Sequence, residues 1–161
     1  MTFGEIQKKA IAEWEFLEKS KKLHIIIGTA TCGRAAGAMA VIEAFNTELA
    51  KHKIEATITQ VGCIGICYAE PLVDIAKPGK PRISYGNVTP NVVPKLVEDY
   101  IVNDNPCVEL ALGTIGDESV DGIPMFWEQL MLKPQVRIAL RNCGITDPEE
   151  INHYIARGGY T

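Results

Sequence analysis

A buried strand followed directly by a helix and a second strand constrains the fold of this chain most. Residues 23–27, LHIII, are apolar and largely β-branched, which is typical of a strand covered on both faces. Gly28 ends this strand, and small residues lead into a helix predicted at 34–52. The alternating sequence IEATITQV predicts a second strand at 54–61. A strand, helix and strand in this order favour a parallel pair of neighbouring strands.

The next segment predicts a hairpin and a second helix. Strands are predicted at 72–76 and 82–85, and the sequence KPGKP between them has strong turn chemistry. Thr89 is a suitable N-cap, and Pro90 suits the first position of a helix predicted to end near Val102. The resulting order, β-α-β-β-β-α, predicts an α/β fold with a thioredoxin-like layer.

The flanking segments divide the chain into four predicted parts. Residues 1–22 form an amphipathic N-terminal helix, and residues 23–103 form the thioredoxin-like domain. Residues 104–123 are turn-rich and acidic and are predicted to be a linker. In the C-terminal extension, 124–161, a strand is predicted at 135–141, and a helix begins near Asp147, with His153 on a solvated face. This extension is too short for a core of its own, so we expect it to pack either on this domain or on protein outside this chain.

Charge and composition limit the class of protein. The 161 residues carry a net charge of -4, and no basic cluster indicates a nucleic-acid partner. No apolar run approaches the roughly 18 residues needed for membrane insertion, and the charged N-terminus does not resemble a signal peptide. We therefore expect a cytoplasmic protein with reduced thiols. The cysteine count of five is odd, which argues against a disulfide framework.

Three cysteines are predicted to meet at one end of the sheet. Cys63 and Cys67 form a Cys-x-x-x-Cys pair in the glycine-containing sequence VGCIGICYAEP, and Cys32 follows the first strand. The pair alone is compatible with iron–sulfur ligation or with two small buried residues. Cys32 makes convergence of three thiols the favoured interpretation. Cys107 and Cys143 are expected to be incidental. The sequence CGRA is not a Cys-x-x-Cys pair, which disfavours disulfide exchange.

The sequences HIIIGTATCGRAAGA, VGCIGICYAEPLVDI and RISYGNVTPNVV, in this order, resemble the thioredoxin-like [2Fe-2S] ferredoxin family. The resemblance covers residues 23–103. In that family the domain also occurs in small subunits of NADH dehydrogenases and at the N-terminus of the flavoprotein subunit of NAD-dependent, electron-bifurcating hydrogenases. The tail QVRIALRNCGITDPEEINHYIARGGYT resembles the segment that leads into the NADH- and FMN-binding domain of that subunit. The resemblance thus implies that FMN and NAD belong only to a full-length subunit.

The resemblance implies a ligand set that is incomplete here. Cys63 and Cys67 match the family's paired ligands, and Cys32 matches its second ligand. The first ligand corresponds to Ile27, or to Gly28 after a shift of one residue. Neither side chain can bind iron, so a standard all-cysteine [2Fe-2S] site would have three of its four thiolates.

Three interpretations of the incomplete site stay open. The cluster is lost and the domain is a docking scaffold; a substitute ligand completes the site; or a partner chain or external thiol does. The nearest substitute ligands in the sequence are Thr29, Thr31 and His24, with His24 expected to be structural. Three thiols could also bind zinc, although the glycine-containing loop favours iron–sulfur ancestry.

The resulting functional hypothesis is an electron-transfer or subunit-docking module of an NADH-linked oxidoreductase. Its expected partners are other subunits of a hydrogenase or NADH dehydrogenase complex, and a homodimer stays open. The chain is not expected to carry out NADH oxidation by itself. A cluster-free interaction scaffold and a free-standing ferredoxin are the competing hypotheses. No Ser/His/Asp or paired-carboxylate arrangement indicates hydrolytic or acid–base catalysis.

Overall fold

A mixed sheet with helices around it forms the frame of the molecule in the computed structural model, which describes residues 2–20, 22–116 and 118–161. The strands are β1 (Leu23–Gly28), β2 (Ala56–Val61), β3 (Val73–Ala76), β4 (Arg82–Tyr85) and β5 (Ala111–Ile115). The helices are α1 (Phe3–Glu18), α2 (Thr31–Ala35), α3 (Ala38–His52), α4 (Val93–Lys95) and α5 (Ile151–Ala156). Helix α4 continues as a π-helical segment, Leu96–Val102.

The sheet confirms the predicted α/β, thioredoxin-like fold class. Its strand order is β2-β1-β3-β4-β5. Strands β1 and β2 are parallel, whereas β1–β3, β3–β4 and β4–β5 are antiparallel. The predicted parallel pair and hairpin are therefore both present. Strand β1 lies between its parallel partner β2 and β3, the first strand of the hairpin.

Helix α3 covers one face of β1, but in two respects it differs from the predicted helix. Its buried residues are Ala38, Val41, Phe45 and Leu49. Helical spacing in the sequence predicts that Met39 also faces inward, but Met39 is exposed. Gly37 has a φ of 102°, a left-handed conformation that interrupts the helix predicted at 34–52 and separates α2 from α3. Helix α4 likewise begins at Val93 instead of next to Thr89, which leaves Pro94 at the start of the helix, where proline is tolerated.

The segment predicted as a linker at 104–123 contributes to the sheet and the core. Strand β5 pairs with β4, and the Tyr85 hydroxyl donates a hydrogen bond to the Pro106 carbonyl at 2.8 Å. Cys107 is buried in the main hydrophobic core, so it is a packing residue. The linker interpretation is therefore wrong for Ala111–Ile115. The short apolar sequence ALGTI gains backbone hydrogen bonds from β4, and this long-range pairing outweighs the turn-rich, acidic composition around it.

The C-terminal extension packs against the N-terminal helix. The rings of Trp14 and His153 meet edge to face with their centroids 4.9 Å apart. The side-chain amide of Asn152 donates a hydrogen bond to the Glu13 carboxylate at 2.8 Å. His153 Nδ1 also accepts a hydrogen bond from the Asp147 amide at 3.1 Å, so the prediction of a solvated His153 is wrong. The strand predicted at 135–141 is absent: these described residues form turns and irregular backbone and pair with no strand of the sheet.

A second apolar cluster joins this extension to the cysteine loop, residues 62–72. It consists of Ile66, Ala69, Leu72, Phe126 and Leu132. Gly113 of β5 permits the contact, because a Cβ atom at this position would lie 2.6 Å from the Cα atom of Phe126. Among the residues that the structure describes, no helix has the length and apolar character to cross a membrane.

His24, at the other end of β1 from the cysteines, gives a prediction about pH. Its Nε2 atom is 2.8 Å from Thr59 Oγ1. Burial lowers the pKa of His24 to about 4, and the charges of Arg82 and His153 contribute to this decrease, whereas Asp74 opposes it. As the pH falls, His24 binds a proton in the unfolded chain before it does so in the folded chain. The contribution of neutral His24 to the stability of the fold is therefore complete above about pH 6.5 and is lost as the pH falls toward 4.

We expect the free energy of unfolding to fall by about 1 kcal/mol more in the wild type than in His24→Gln between pH 7.5 and pH 5.0, a value already reduced for solvent screening of a partly exposed ring. Urea unfolding at both pH values measures the difference. An equal fall in the two proteins would show that His24 is protonated as easily in the folded chain as in the unfolded one.

Candidate metal centre

Three cysteine thiols converge at one end of the sheet, as the sequence predicts. Cys32 lies in α2, directly after β1, and Cys63 and Cys67 lie in the loop after β2. The sulfur atoms of the three residues all lie within 4.8 Å of one another. Parallel pairing of β1 and β2 explains this convergence, since the carboxyl ends of parallel neighbours share one edge of the sheet.

The Cys63–Cys67 loop orients a backbone donor toward sulfur. The two Sγ atoms are 3.5 Å apart, and the Gly65 amide donates a hydrogen bond to Cys63 Sγ at 3.3 Å. Gly65 has a φ of 99°, which a residue with a side chain adopts with difficulty. Backbone N–H groups directed at thiolate sulfur are a common means of stabilising metal–sulfur centres.

Burial makes the thiols of Cys32 and Cys63 poor nucleophiles in the absence of a metal ion. It is the main cause that raises the pKa of Cys63 to about 12, and it also raises the pKa of Cys32. Thioredoxin-type exchange requires a cysteine whose pKa is lowered, so this environment does not favour it. A metal ion, in contrast, displaces the protons and compensates the buried negative charge.

Hydrogen bonds from two sides hold the cysteine loop in place. The Asn87 amide donates to the Ala69 carbonyl at 2.7 Å, and the Val88 amide donates to the Pro71 carbonyl at 3.1 Å. The sequence YGNV thus supports the distal half of the loop. From the C-terminal extension, the Gly144 amide donates to the Gly62 carbonyl and Arg137 Nη1 donates to the Ile64 carbonyl, both at 3.1 Å.

Of the proposed substitute ligands, His24 does not join the three thiols. His24 is four residues before Gly28 on β1, a separation of about 13 Å along a strand, and it is hydrogen-bonded to Thr59. Thr31 is exposed and Thr29 is buried. Cys143 also lies outside the group of three thiols and packs against Gly62.

Glu70 is the residue of this site that the sequence analysis missed. Its side chain is only 6% exposed, and Cys32 Sγ lies 3.7 Å from its Oε1 atom. The Leu72 amide donates to Oε2 at 2.9 Å. Burial raises the pKa of the Glu70 carboxyl, and hydrogen bonds from Leu72, Cys32 and Cys63 oppose this rise. Its position in the sequence CYAEP, three residues after Cys67, was the available signal.

Comparison with known proteins gives related sequences, while no family model matches the chain. The chain is 36% identical over 89 residues to the NADP-reducing hydrogenase subunit HndB of Solidesulfovibrio fructosivorans, which covers 55% of this chain and 71% of HndB. It is 35% identical over 65 residues to a 2Fe-2S ferredoxin of Clostridium pasteurianum, which covers 39% of this chain and 61% of the ferredoxin.

A solved structure independently matches the fold. The thioredoxin-like [2Fe-2S] ferredoxin of Aquifex aeolicus aligns with a TM-score of 0.50 and 19% sequence identity, over 61% of this chain and 96% of the ferredoxin. At this identity the match concerns the fold alone. The HndB match supplies the sequence relationship and spans more than two thirds of that subunit. The chain therefore belongs to the family of thioredoxin-like [2Fe-2S] ferredoxin domains that includes the hydrogenase subunit HndB.

Proposed function

We propose that this chain is an electron-transfer module of a multi-subunit, NADH-linked oxidoreductase of the hydrogenase or NADH dehydrogenase type. In this proposal Cys32, Cys63 and Cys67 bind a [2Fe-2S] cluster. The observation that carries the proposal is the convergence of these three thiols within 4.8 Å, at the sheet end where the two parallel strands finish. The names of the two related proteins, a hydrogenase subunit and a 2Fe-2S ferredoxin, support the same assignment.

The donor set and its surroundings suit an iron–sulfur centre. Thiolate sulfur is the usual protein ligand of such clusters, and the Gly65 amide is directed at one of the three sulfurs. When bound, a [2Fe-2S] cluster supplies one-electron transfer. Cys67 is exposed, and the neighbouring Tyr68 has 67% of its surface accessible, so a redox partner can approach this edge of the site.

The proposed partners are other subunits of such a complex, with a second copy of this chain as a further candidate. Residues 124–161 would connect this domain to an NADH- and FMN-binding domain, so FMN and NAD would bind outside the structure described. The proposed location is the cytoplasm, where reduced thiols are available for metal binding.

A cluster-free docking scaffold is the alternative function. The residues that favour it are Ile27 and Gly28, which stand where the family has its first cysteine ligand. In that case the convergent thiols would be a remnant of the site, and the domain would serve to hold subunits together.

Anaerobic purification, followed by reconstitution with iron and sulfide, distinguishes the two functions. The electron-transfer module is expected to be coloured and to contain about two iron and two sulfide per chain. It should also give a paramagnetic signal after one-electron reduction. A colourless protein after reconstitution would support the scaffold, and a stoichiometric zinc content without sulfide would exclude an iron–sulfur centre.

A further inference from the structure

The three thiols leave one coordination position of a [2Fe-2S] cluster without a protein ligand. Two irons held in such a cluster require four terminal ligands, and the described part of the chain brings three cysteines to this sheet end. The missing ligand would come from the end of β1. A residue at position 27 cannot supply this ligand, because the Ile27 side chain is buried in the main core together with residues of α3. Gly28 is therefore the position that borders the site.

The Glu70 carboxylate occupies the space beside Gly28. A Cβ atom built at Gly28 would lie 2.8 Å from Glu70 Oε2 and 3.1 Å from Oε1. A Cβ atom at Gly33, in α2, would lie 3.2 Å from the same Oε2 atom. The atom nearest to this Gly33 position is the Gly28 carbonyl oxygen, so α2 packs closely on the end of β1, with the Glu70 carboxylate beside both glycines. A side chain at position 28 would require the Glu70 carboxylate to shift.

The two carboxylate oxygen atoms of Glu70 have different neighbours. Oε2 accepts a hydrogen bond from the Leu72 amide, which fixes the side chain. Oε1 faces the thiols, at 3.7 Å from Cys32 Sγ. A carboxylate that is 94% buried carries a large desolvation cost unless a cation or hydrogen bonds compensate its charge. The Leu72 amide and the thiol protons compensate part of this cost in the absence of a metal ion.

We propose that Glu70 is the fourth ligand of the cluster, bound to iron through a carboxylate oxygen in the place of the missing cysteine. The inference rests on the proposed function, since it requires the iron–sulfur centre. Replacement of thiolates on one iron of a [2Fe-2S] centre is chemically feasible, as histidine ligands in other such centres show. Carboxylate oxygen is also an established ligand of iron in non-haem sites. On binding, the three thiols release their protons, and the metal compensates the negative charge of the thiolates and of the buried carboxylate.

A purely structural role for Glu70 makes a different prediction. In that role the side chain only accepts the hydrogen bond from Leu72, and an amide oxygen serves equally well. Glu70→Gln preserves the size and the hydrogen-bond acceptor but removes the anionic oxygen that binds iron. The substitution therefore separates ligation from packing.

The test compares reconstituted wild type, Glu70→Gln and the control Glu149→Gln, an exposed carboxylate that pairs with Arg34 at 3.8 Å on the same side of the molecule. Iron loss to a coloured chelator is followed over time, and Mössbauer spectra report the two iron sites. For Glu70→Gln we expect iron release to be at least about 10-fold faster than in the wild type. Loss of a residue that only supports a ligand already lowers metal affinity by roughly 10-fold, and loss of a ligand should have a larger effect. We also expect the two iron sites of the wild type to be inequivalent, and Glu149→Gln to behave like the wild type.

A swap variant tests the same inference in the opposite direction. Glu70→Ala combined with Gly28→Cys replaces the carboxylate by a thiol in the space that it vacates. We expect this double variant to hold its cluster, with two equivalent iron sites and charge-transfer bands at longer wavelength, because sulfur is a softer donor than oxygen. Circular dichroism of each apo protein verifies folding, and the swap variant decides the question if Glu70→Gln does not fold.

The outcomes separate this inference from the proposed function. Wild type that binds no iron refutes the proposed function. Wild type that binds a cluster, with Glu70→Gln retaining the same spectrum and release rate, leaves the function in place and refutes ligation by Glu70. A swap variant whose two iron sites stay as inequivalent as those of the wild type refutes it as well.

Discussion

Replacement of either Cys63 or Cys67 by alanine is expected to lower bound iron from about two atoms per chain to near zero. The two sulfurs are 3.5 Å apart on one short loop, so each substitution removes a thiolate without moving the other ligands far. A [2Fe-2S] centre in this protein already depends on three thiols, and two thiols cannot saturate two irons. Iron and acid-labile sulfide analyses after anaerobic reconstitution, together with visible absorption, measure the loss.

Cys143→Ala is the matched control for this experiment. Its sulfur packs against the cysteine loop, 3.6 Å from the position of a Cβ atom on Gly62, yet it lies outside the group of convergent thiols. Iron content and spectrum should therefore stay at wild-type values. Full iron content in Cys63→Ala or Cys67→Ala would mean that the metal centre lies elsewhere in the chain.

The central part of the fold follows from local sequence patterns. The β-branched runs, the helix between them and the KPGKP turn predict β1 to β4 in their observed order. These sequence patterns predict the strands correctly because β1 is buried on both faces and a tight turn joins β3 to β4. Both features produce a strong local pattern in the sequence. The end of α3 at His52 agrees with the helix predicted at 34–52, whereas the interruption of that helix at Gly37 was not predicted, since glycine alone does not reveal a left-handed φ.

Strand β5 and the false strand at 135–141 show where local pattern is insufficient. ALGTI pairs with β4 through backbone hydrogen bonds, which any short apolar segment with an available partner can form. The more regular alternation at 135–141 finds no partner, and Val136 and Ile138 are 84% and 79% exposed. Whether an alternating segment becomes a strand therefore depends on where the folded chain places it relative to the sheet, which the sequence alone does not show.

The candidate site was predictable as far as its cysteines. Their positions after two parallel strands follow from the strand order, and this order requires them to converge. Glu70 could not be placed in the same way. Its contact with Gly28 arises because the cysteine loop folds back over the end of β1, where the Gly28 amide donates to the Leu72 carbonyl at 3.0 Å. Proximity in sequence, which suggested Thr29, Thr31 and His24, does not reveal this contact.

The C-terminal extension gives the second large expected effect, on stability. Phe126 is fully buried in the second apolar cluster, against Ile66, Ala69 and Leu72 of the cysteine loop. Phe126→Ala is expected to lower the free energy of unfolding by about 3–5 kcal/mol, because it removes a large buried side chain and leaves a cavity. Urea unfolding of the apo protein measures this change.

Trp127→Ala provides the control in the adjacent position. The Trp127 side chain is 37% exposed and contacts the edge of Phe126, with ring centroids 5.1 Å apart, and the Arg137 guanidinium. Its loss should cost about 1–2 kcal/mol, since it removes less buried surface and its cation–π contact is partly solvated. Equal costs for the two substitutions would contradict the packing of residues 124–161 against the cysteine loop. A larger cost for Phe126→Ala would mean that the extension stabilises the loop, so the same substitution should also accelerate iron release from a reconstituted centre.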